Sequence, residues 1–275
     1  MKNLPTIIFV ILFILSTFSS NAGWVITQRH STDEGLIQYE TLTIQSNLVK
    51  ISGLNGTFIF DIEKGTFVLA NEQRKVFWEG RIDEFRSSYY AALKSIIEEL
   101  TKDLPQDQKD LYNTMLEETI NMYGETKQPA NDSTKTEIKN TGLTEEIAGY
   151  SSSGYEVYVN GKLREQLWIS SAIPLKKDLD MREFASIIRE IEPNVNGEYV
   201  FENSESYLKL TESGFPMRTI DDLGIMVEVI KVEEQKIANS EFEMPADFKR
   251  AGLDEIIRLA MIGAAGEDKE EDSWE

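Results

Sequence analysis

The 275-residue chain has no cysteine and a single histidine, and these two absences remove several kinds of chemistry at once. Without thiols there can be no disulfide framework, no thiolate metal centre and no cysteine nucleophile, so stability has to come from packing. Without a second imidazole, neither a His-based zinc site nor a two-histidine facial metal site can form within one chain. His30 would have to serve any Ser-His-carboxylate triad, yet no Gly-x-Ser-x-Gly elbow is present to offer the serine. An exposed histidine just before a turn over Ser31 to Gly35 is the simpler assignment. Positive charge is also scarce: 28 Lys and Arg stand against 48 Asp and Glu, a net charge of −20. Long-range repulsion then disfavours nucleic acid and anionic lipid surfaces as partners.

Phosphate cradles are missing as well. Gly53-Leu54-Asn55-Gly56 reads as a turn between strands and Gly263-Ala264-Ala265-Gly266 as a helix exit, and neither lies between a strand and a helix. Carboxylates are so abundant that pairs such as Glu98-Glu99, Glu117-Glu118 and Glu145-Glu146 carry no signal of their own. Adjacent residues on a helix or strand point in different directions, so these belong on solvated faces rather than in an acid-base pair. No spacing resembles a calcium-binding EF-hand loop. Asn55-Gly56-Thr57 and Asn131-Asp132-Ser133 match glycan acceptor sequons, which matter only in a host that glycosylates exported chains.

What is present begins with residues 1–22. Lys2 precedes an apolar run from Ile7 to Phe18, followed by small and polar residues ending at Ser20, Asn21 and Ala22, the layout of a secretory signal cleaved to leave Gly23 as the mature start. The run of about 12 residues is too short to cross a hydrocarbon core that needs roughly 20. With no cysteine after it, a lipid-modified N-terminus is excluded, and the expected locale is the periplasm or the cell exterior, with no integral membrane span in the mature chain. Roughly 250 residues remain, enough for a sizeable core.

From Trp24 to Gly80 the chain reads as an antiparallel meander. Strands are predicted at Trp24–Arg29, Leu36–Gln45, Leu48–Ser52, Thr57–Ile62, Thr66–Ala70 and Lys75–Glu79, with turns at Asn55-Gly56, Lys64-Gly65 and Asn71 to Arg74. Two-residue alternation puts Phe58, Phe60 and Ile62 on one side, as it does Phe67 with Leu69 and Val76 with Trp78. The period then lengthens to that of a helix. Phe85, Tyr89, Leu93, Ile96 and Leu100 form a stripe over Ile82–Asp103, and Tyr112, Leu116, Ile120 and Tyr123 form another between Pro105 and Gly124. Two amphipathic helices after six strands are suited to cover the sheet's apolar face.

Residues 125–136 lack an apolar period and read as a flexible loop. Strands resume at Glu137–Gly142, Ser153–Val159 and Lys162–Ser170 around the hairpin signal Asn160-Gly161. A two-residue turn there sets Glu156 against Glu165 in continuous register. A three-residue loop with Gly161 in a bulge instead pairs Val157 with Leu163 and Glu156 with Arg164, and is favoured on charge grounds. Asp180 and Glu183 form a capping box for a helix with Phe184, Ile187, Ile188 and Ile191 on its buried side, and Leu179 and Phe184 sit at staple positions. A short helical stretch at Ser204–Thr211, strands at Phe215–Asp221 and Ile225–Glu233, and a last helix carrying Leu253, Ile256, Ile257, Ala260 and Met261 follow. Residues 266–275 read as an acidic disordered tail.

Several stretches resemble those of a known group of bacterial secreted proteins. They are Gly142-Leu143-Thr144-Glu145-Glu146-Ile147-Ala148-Gly149-Tyr150, Tyr155 to Val159, Leu167-Trp168-Ile169, Ser213-Gly214-Phe215-Pro216 and Phe242 to Phe248. They are similar to signature stretches of an uncharacterised domain-of-unknown-function family grouped with the lipoprotein-carrier (LolA and LppX-like) fold, and the likeness spans about Gly23 to Arg250. The resemblance implies an α+β fold in which a strongly bent antiparallel sheet forms an incomplete barrel with helices covering its concave face, as one domain over 23–265. Carriers of that fold hold acyl chains in the hollow. No catalytic residues, metal or cofactors come with the resemblance.

The expectation is therefore a non-enzymatic exported protein that binds a lipid or other hydrophobic ligand, with Phe58, Phe60, Phe67, Leu69 and Trp78 as candidate ligand-binding residues. The alternative is an envelope interaction or scaffold module whose interior is filled, for example by Phe85, Tyr89 and Leu93. An exported hydrolase working through carboxylates has no positive motif.

Overall fold

The computed structural model describes residues 22–32, 34–53, 56–124, 135–191, 201–202 and 204–267. The signal segment up to Asn21, the turn residue Asn55, most of the loop predicted at 125–136 and the tail beyond Glu267 lie outside the described residues.

Twelve strands form one sheet: β1 (Ala22–Ser31), β2 (Ile37–Gln45), β3 (Leu48–Gly53), β4 (Gly56–Asp61), β5 (Thr66–Asn71), β6 (Val76–Arg81), β7 (Thr136–Ile147), β8 (Tyr150–Val159), β9 (Lys162–Ser170), β10 (Phe215–Asp221), β11 (Met226–Lys236) and β12 (Lys249–Arg250). Among the described residues five α-helices accompany them: α1 (Ile82–Leu100), α2 (Gln106–Gly124), α3 (Met181–Ile191), α4 (Glu205–Glu212) and α5 (Leu253–Glu267). The strand order is β12-β6-β5-β4-β3-β2-β1-β11-β10-β9-β8-β7, so the sheet has two edges and is not closed into a barrel. All pairings are antiparallel except β12 with β6. The six-strand meander is as the alternation predicts. Its junction to the second half is a long-range pairing of β1 with β11, where the register shifts between Thr27 and Gln28.

One core joins the two halves. Trp24 and Ile26 of β1, Phe60 of β4, Phe67 of β5, Met217 of β10 and Val229 of β11 share a cluster with Phe85 of α1, Ile187 of α3 and Leu253 of α5. A second cluster, Val157, Leu167 and Ile169 with Phe201 and Leu210, holds α4 against β8 and β9. On the opposite face of the meander, Ile59 packs with Ile237 and Phe242. The segment Phe242 to Phe248 thus runs beneath the sheet before β12 joins its edge, where Lys249 and Ala251 donate backbone N–H bonds to the carbonyls of Lys75 and Phe77.

Helix coverage differs from expectation in two respects. α1, α3 and α5 reach the core, whereas α2 leans on α1; Leu116 is buried, but Leu111, Tyr112 and Met115 are exposed. Leu100, assigned above to the apolar stripe of α1, is 64% exposed and is the last residue of that helix.

The hairpin between β8 and β9 is also corrected. Asn160 (φ 50°) and Gly161 (φ 81°) make a two-residue turn alone, with Val159 opposite Lys162 and Tyr158 opposite Leu163. These left-handed angles are those of a type I′ turn, which Asn-Gly favours. The bulge lies further along, at Arg164, so that Val157 meets Glu165 and Glu156 meets Gln166. The like-charge clash is avoided by extruding a residue from the strand rather than by lengthening the turn.

Candidate functional site

β4 and β5 place Phe58, Phe60 and Phe67 on the helix-bearing side of the sheet, and α1 and α3 lie over them. Phe60 meets Phe184 of α3 edge-on at 5.6 Å, and Phe67 meets Phe85 of α1 edge-on at 5.2 Å. Between the two helices and the sheet is a cavity of ≈ 400 Å³. Its apolar lining is Ile51, Phe58 and Phe60 from the sheet, Phe85 from α1, and Ile188 and Ile191 from α3; Glu40 of β2 with Arg86, Tyr89 and Tyr90 of α1 supply its polar groups. That volume lies within the range of small-molecule sites.

The five residues singled out from sequence divide here. Phe58 and Phe60 line the cavity. Phe67 is 1% exposed and stacks on Phe60 with ring centres 4.8 Å apart, so it forms the layer behind the cavity wall. Leu69 and Trp78 pack against the same core outside the lining. Trp78 lies flat over Gly80, where a β-carbon would come within 2.3 Å of the indole, and its ring contacts Phe67 and Phe85. A glycine at 80 is what lets the indole fold back as filler. Of the helix side chains expected to plug the space, Phe85 and Tyr89 line it and Leu93 is packed into the core. Sequence reading did not find Ile51, Ile188 and Ile191 as lining, since their alternation and helical period mark burial without saying what is buried against them.

The charged edge of the cavity is sparsely compensated. Glu40 has His30 beside it, Nε2 to Oε1 3.6 Å, beyond hydrogen-bond length, and no Lys or Arg among the described residues forms an ion pair with it. His30 is half-buried inside β1 rather than an exposed turn residue. Arg86 donates from Nη2 to the backbone carbonyl of Glu190 at 3.2 Å and lies 3.9 Å from the Glu190 carboxylate.

Two other constellations have evident structural roles. On the other side of the sheet, Arg29 pairs with Glu228 (2.9 Å), and Arg218 bonds both Glu228 (2.6 Å) and Glu145 (2.7 Å) with its guanidinium 5.0 Å above the Trp168 ring. Burial works against the charge of Arg218, but the two carboxylates outweigh it and hold the group above its ordinary value. The bridge from β10 to β7 crosses β9 and β8; Gly154 on β8 leaves room for Thr141, whose hydroxyl donates to the Gly154 carbonyl at 3.0 Å and would come within 2.7 Å of a β-carbon there. Glu145 and Trp168, both in the stretches that carry the family resemblance, are thus fasteners of four strands. Beneath α4, Glu165 is buried against Tyr207. Burial raises its carboxyl to about 8; the Tyr207 hydroxyl bond opposes this and the nearby Glu202 and Asp221 add to it. Burial likewise pushes the Tyr207 phenol well up.

Among the described residues no group of three His, Asp or Glu side chains could hold a metal ion, and no helix is long and apolar enough to cross a membrane. Known structures offer distant likenesses. PNGF-II in one crystal form shares 12% identity at a TM-score of 0.37, over 88% of this chain and 33% of that one. The MucA/MucB complex of Pseudomonas aeruginosa shares 10% at 0.36, over 83% and 58%, and MucB alone 9% at 0.37, over 84% and 60%. The chain therefore spans a third of PNGF-II and about three fifths of MucB. No curated protein matches it in sequence. The profile of a domain of unknown function, DUF4412, matches residues 92–248, which takes in every signature stretch from Gly142 to Phe248 but leaves out the meander β1 to β6. The match covers more than half of the sequence, and the chain belongs to the DUF4412 family.

Proposed function

We propose that the protein is an exported, non-enzymatic carrier or receptor that holds a lipid or other hydrophobic ligand between α1, α3 and the sheet. The observation that carries this reading is the ≈ 400 Å³ cavity with six apolar side chains in its wall. Each methylene buried there contributes about 0.8 kcal/mol, enough for a short acyl segment to bind usefully. The signal-like N-terminus and the resemblance to lipoprotein-carrier folds support the same reading. So does the joining of β1, β4, β5, β10 and β11 in one core, as expected of a sheet curled around its helices in an incomplete barrel. The lining offers one carboxylate and no acid-base pair, which favours binding over catalysis.

Native mass spectrometry after gentle purification, together with titration of a polarity-sensitive fluorescent fatty acid, tests the proposal. A co-purifying lipid or saturable probe binding is expected, and Ile188→Trp, which fills the cavity from α3, should abolish both while the chain still unfolds cooperatively. Absence of lipid and of probe binding in the unaltered protein overturns the reading. The alternative, an envelope interaction module, draws on the exposed Leu111, Tyr112 and Met115 of α2. It predicts that a specific envelope protein is captured in pull-downs and lost with Leu111→Ser/Met115→Ser.

A further inference from the structure

We infer that the ligand of this cavity is an amphiphile with a protonated amine at its head, its tail lying among Phe58, Phe60, Phe85 and Ile188 and its N–H donors on the Glu40 carboxylate. The inference rests on the cavity reading above and adds the class of head group. On the sheet beneath the cavity, Ile51 of β3 stands opposite Phe58 of β4 and opposite Leu42 of β2, an apolar row packed against the core. Glu40 precedes Leu42 by two residues on β2, so it lies on the same side of the sheet and closes that row with a charge.

A carboxylate in an apolar wall needs an opposite charge or hydrogen bonds once water leaves it. Among the described residues Glu40 has only His30 beside it, at 3.6 Å and beyond hydrogen-bond length, and 31% of its side chain is exposed. Arg86, the cation of the same lining, is engaged by Glu190 of α3 instead, through the carbonyl at 3.2 Å and the carboxylate at 3.9 Å. A tail entering beside Glu40 strips away its remaining water, and an ammonium brought by the ligand replaces that water with charge-assisted N–H bonds. A fatty acid would set a second carboxylate toward the first, and an alcohol would offer one neutral donor. The net charge of −20 acts in the same direction, drawing cations toward the protein and repelling anions.

The test is calorimetric titration near neutral pH with decylammonium, decanol and decanoate, which share a tail and differ in the head, each below its micelle or solubility limit. Decylammonium should bind about tenfold tighter than decanol, the ratio that one charge-assisted hydrogen bond provides, and decanoate should bind most weakly. Glu40→Gln, nearly the same in shape, should erase the order so that decylammonium binds no tighter than decanol, whereas Glu40→Asp, which keeps the charge, should retain part of it. Ile188→Trp should remove the binding of all three. A preference for decylammonium that survives Glu40→Gln belongs to the general field of an acidic protein; that result, or equal affinity for the three heads, overturns the amine inference and leaves the cavity reading standing. Failure of all three to bind the unaltered protein overturns the cavity reading itself, and the amine inference with it.

Discussion

Glu165 departs from what its residue type predicts. An ordinary glutamate releases its proton near 4.5, whereas this one, buried beneath α4, does so near 8. Between those values the folded chain holds a proton that the unfolded chain has lost, so the contribution is fully favourable below about 4.5 and fades as pH rises through the folded value. Glu165→Gln should match the unaltered protein in stability at pH 4 and exceed it at pH 8 by roughly 1–3 kcal/mol, discounted for partial exposure. Urea unfolding at the two pH values checks this; a constant difference across pH would place the perturbation elsewhere. The phenylalanines teach a related lesson. Phe58, Phe60 and Phe67 occupy equivalent positions in an alternating pattern, yet two line a cavity and the third is solid core, stacked on Phe60 and met edge-on by Phe85.

At the scale of elements, α3 depends on the tip of the β2–β3 hairpin. The predicted cap is present, with Asp180 Oδ1 accepting from the backbone N–H of Arg182 and Glu183 at 3.1 Å each. The return half of the capping box belongs to another residue: the Asp180 N–H donates to Asn47 Oδ1 at 2.8 Å, and the Asn47 N–H donates to the Asp178 carbonyl at 2.6 Å. Asn47 has φ of 61°, a left-handed angle that asparagine tolerates better than most residues. Asn47→Ala loses both the side-chain bond and that tolerance, and should lower stability by about 1–2 kcal/mol. Hydrogen exchange should quicken first at the start of α3, which roofs one side of the cavity. Unchanged exchange there would mean that Asp180 alone fixes the helix.

For the molecule as a whole, a net charge of −20 on a sheet with open edges sets repulsion against packing. Salt screens repulsion among exposed charges while costing little at exposed ion pairs, so the melting temperature should rise as sodium chloride increases from about 10 to 200 mM. Scanning calorimetry at the two concentrations decides it. A fall instead would mean that the partly buried ladder of Arg29, Glu228, Arg218 and Glu145 outweighs the summed repulsion.

Local chemistry alone determined much of this protein. The six meander strands, the Asp180 cap, the stripes of α1 and α3 and the exclusion of thiol and multi-histidine chemistry follow from alternation, helical period and composition, each of which acts over a few neighbouring residues. Tertiary structure decided what depends on distant partners: the pairing of β1 with β11, the short β12 beside β6, the bulge at Arg164, and the detachment of α2 from the sheet. It also decided that Ile51, Ile188 and Ile191 face a cavity while Trp78 folds over Gly80 into the core. An apolar side chain records in sequence only that it avoids water; whether a neighbour or a vacant space receives it depends on how separate elements approach one another.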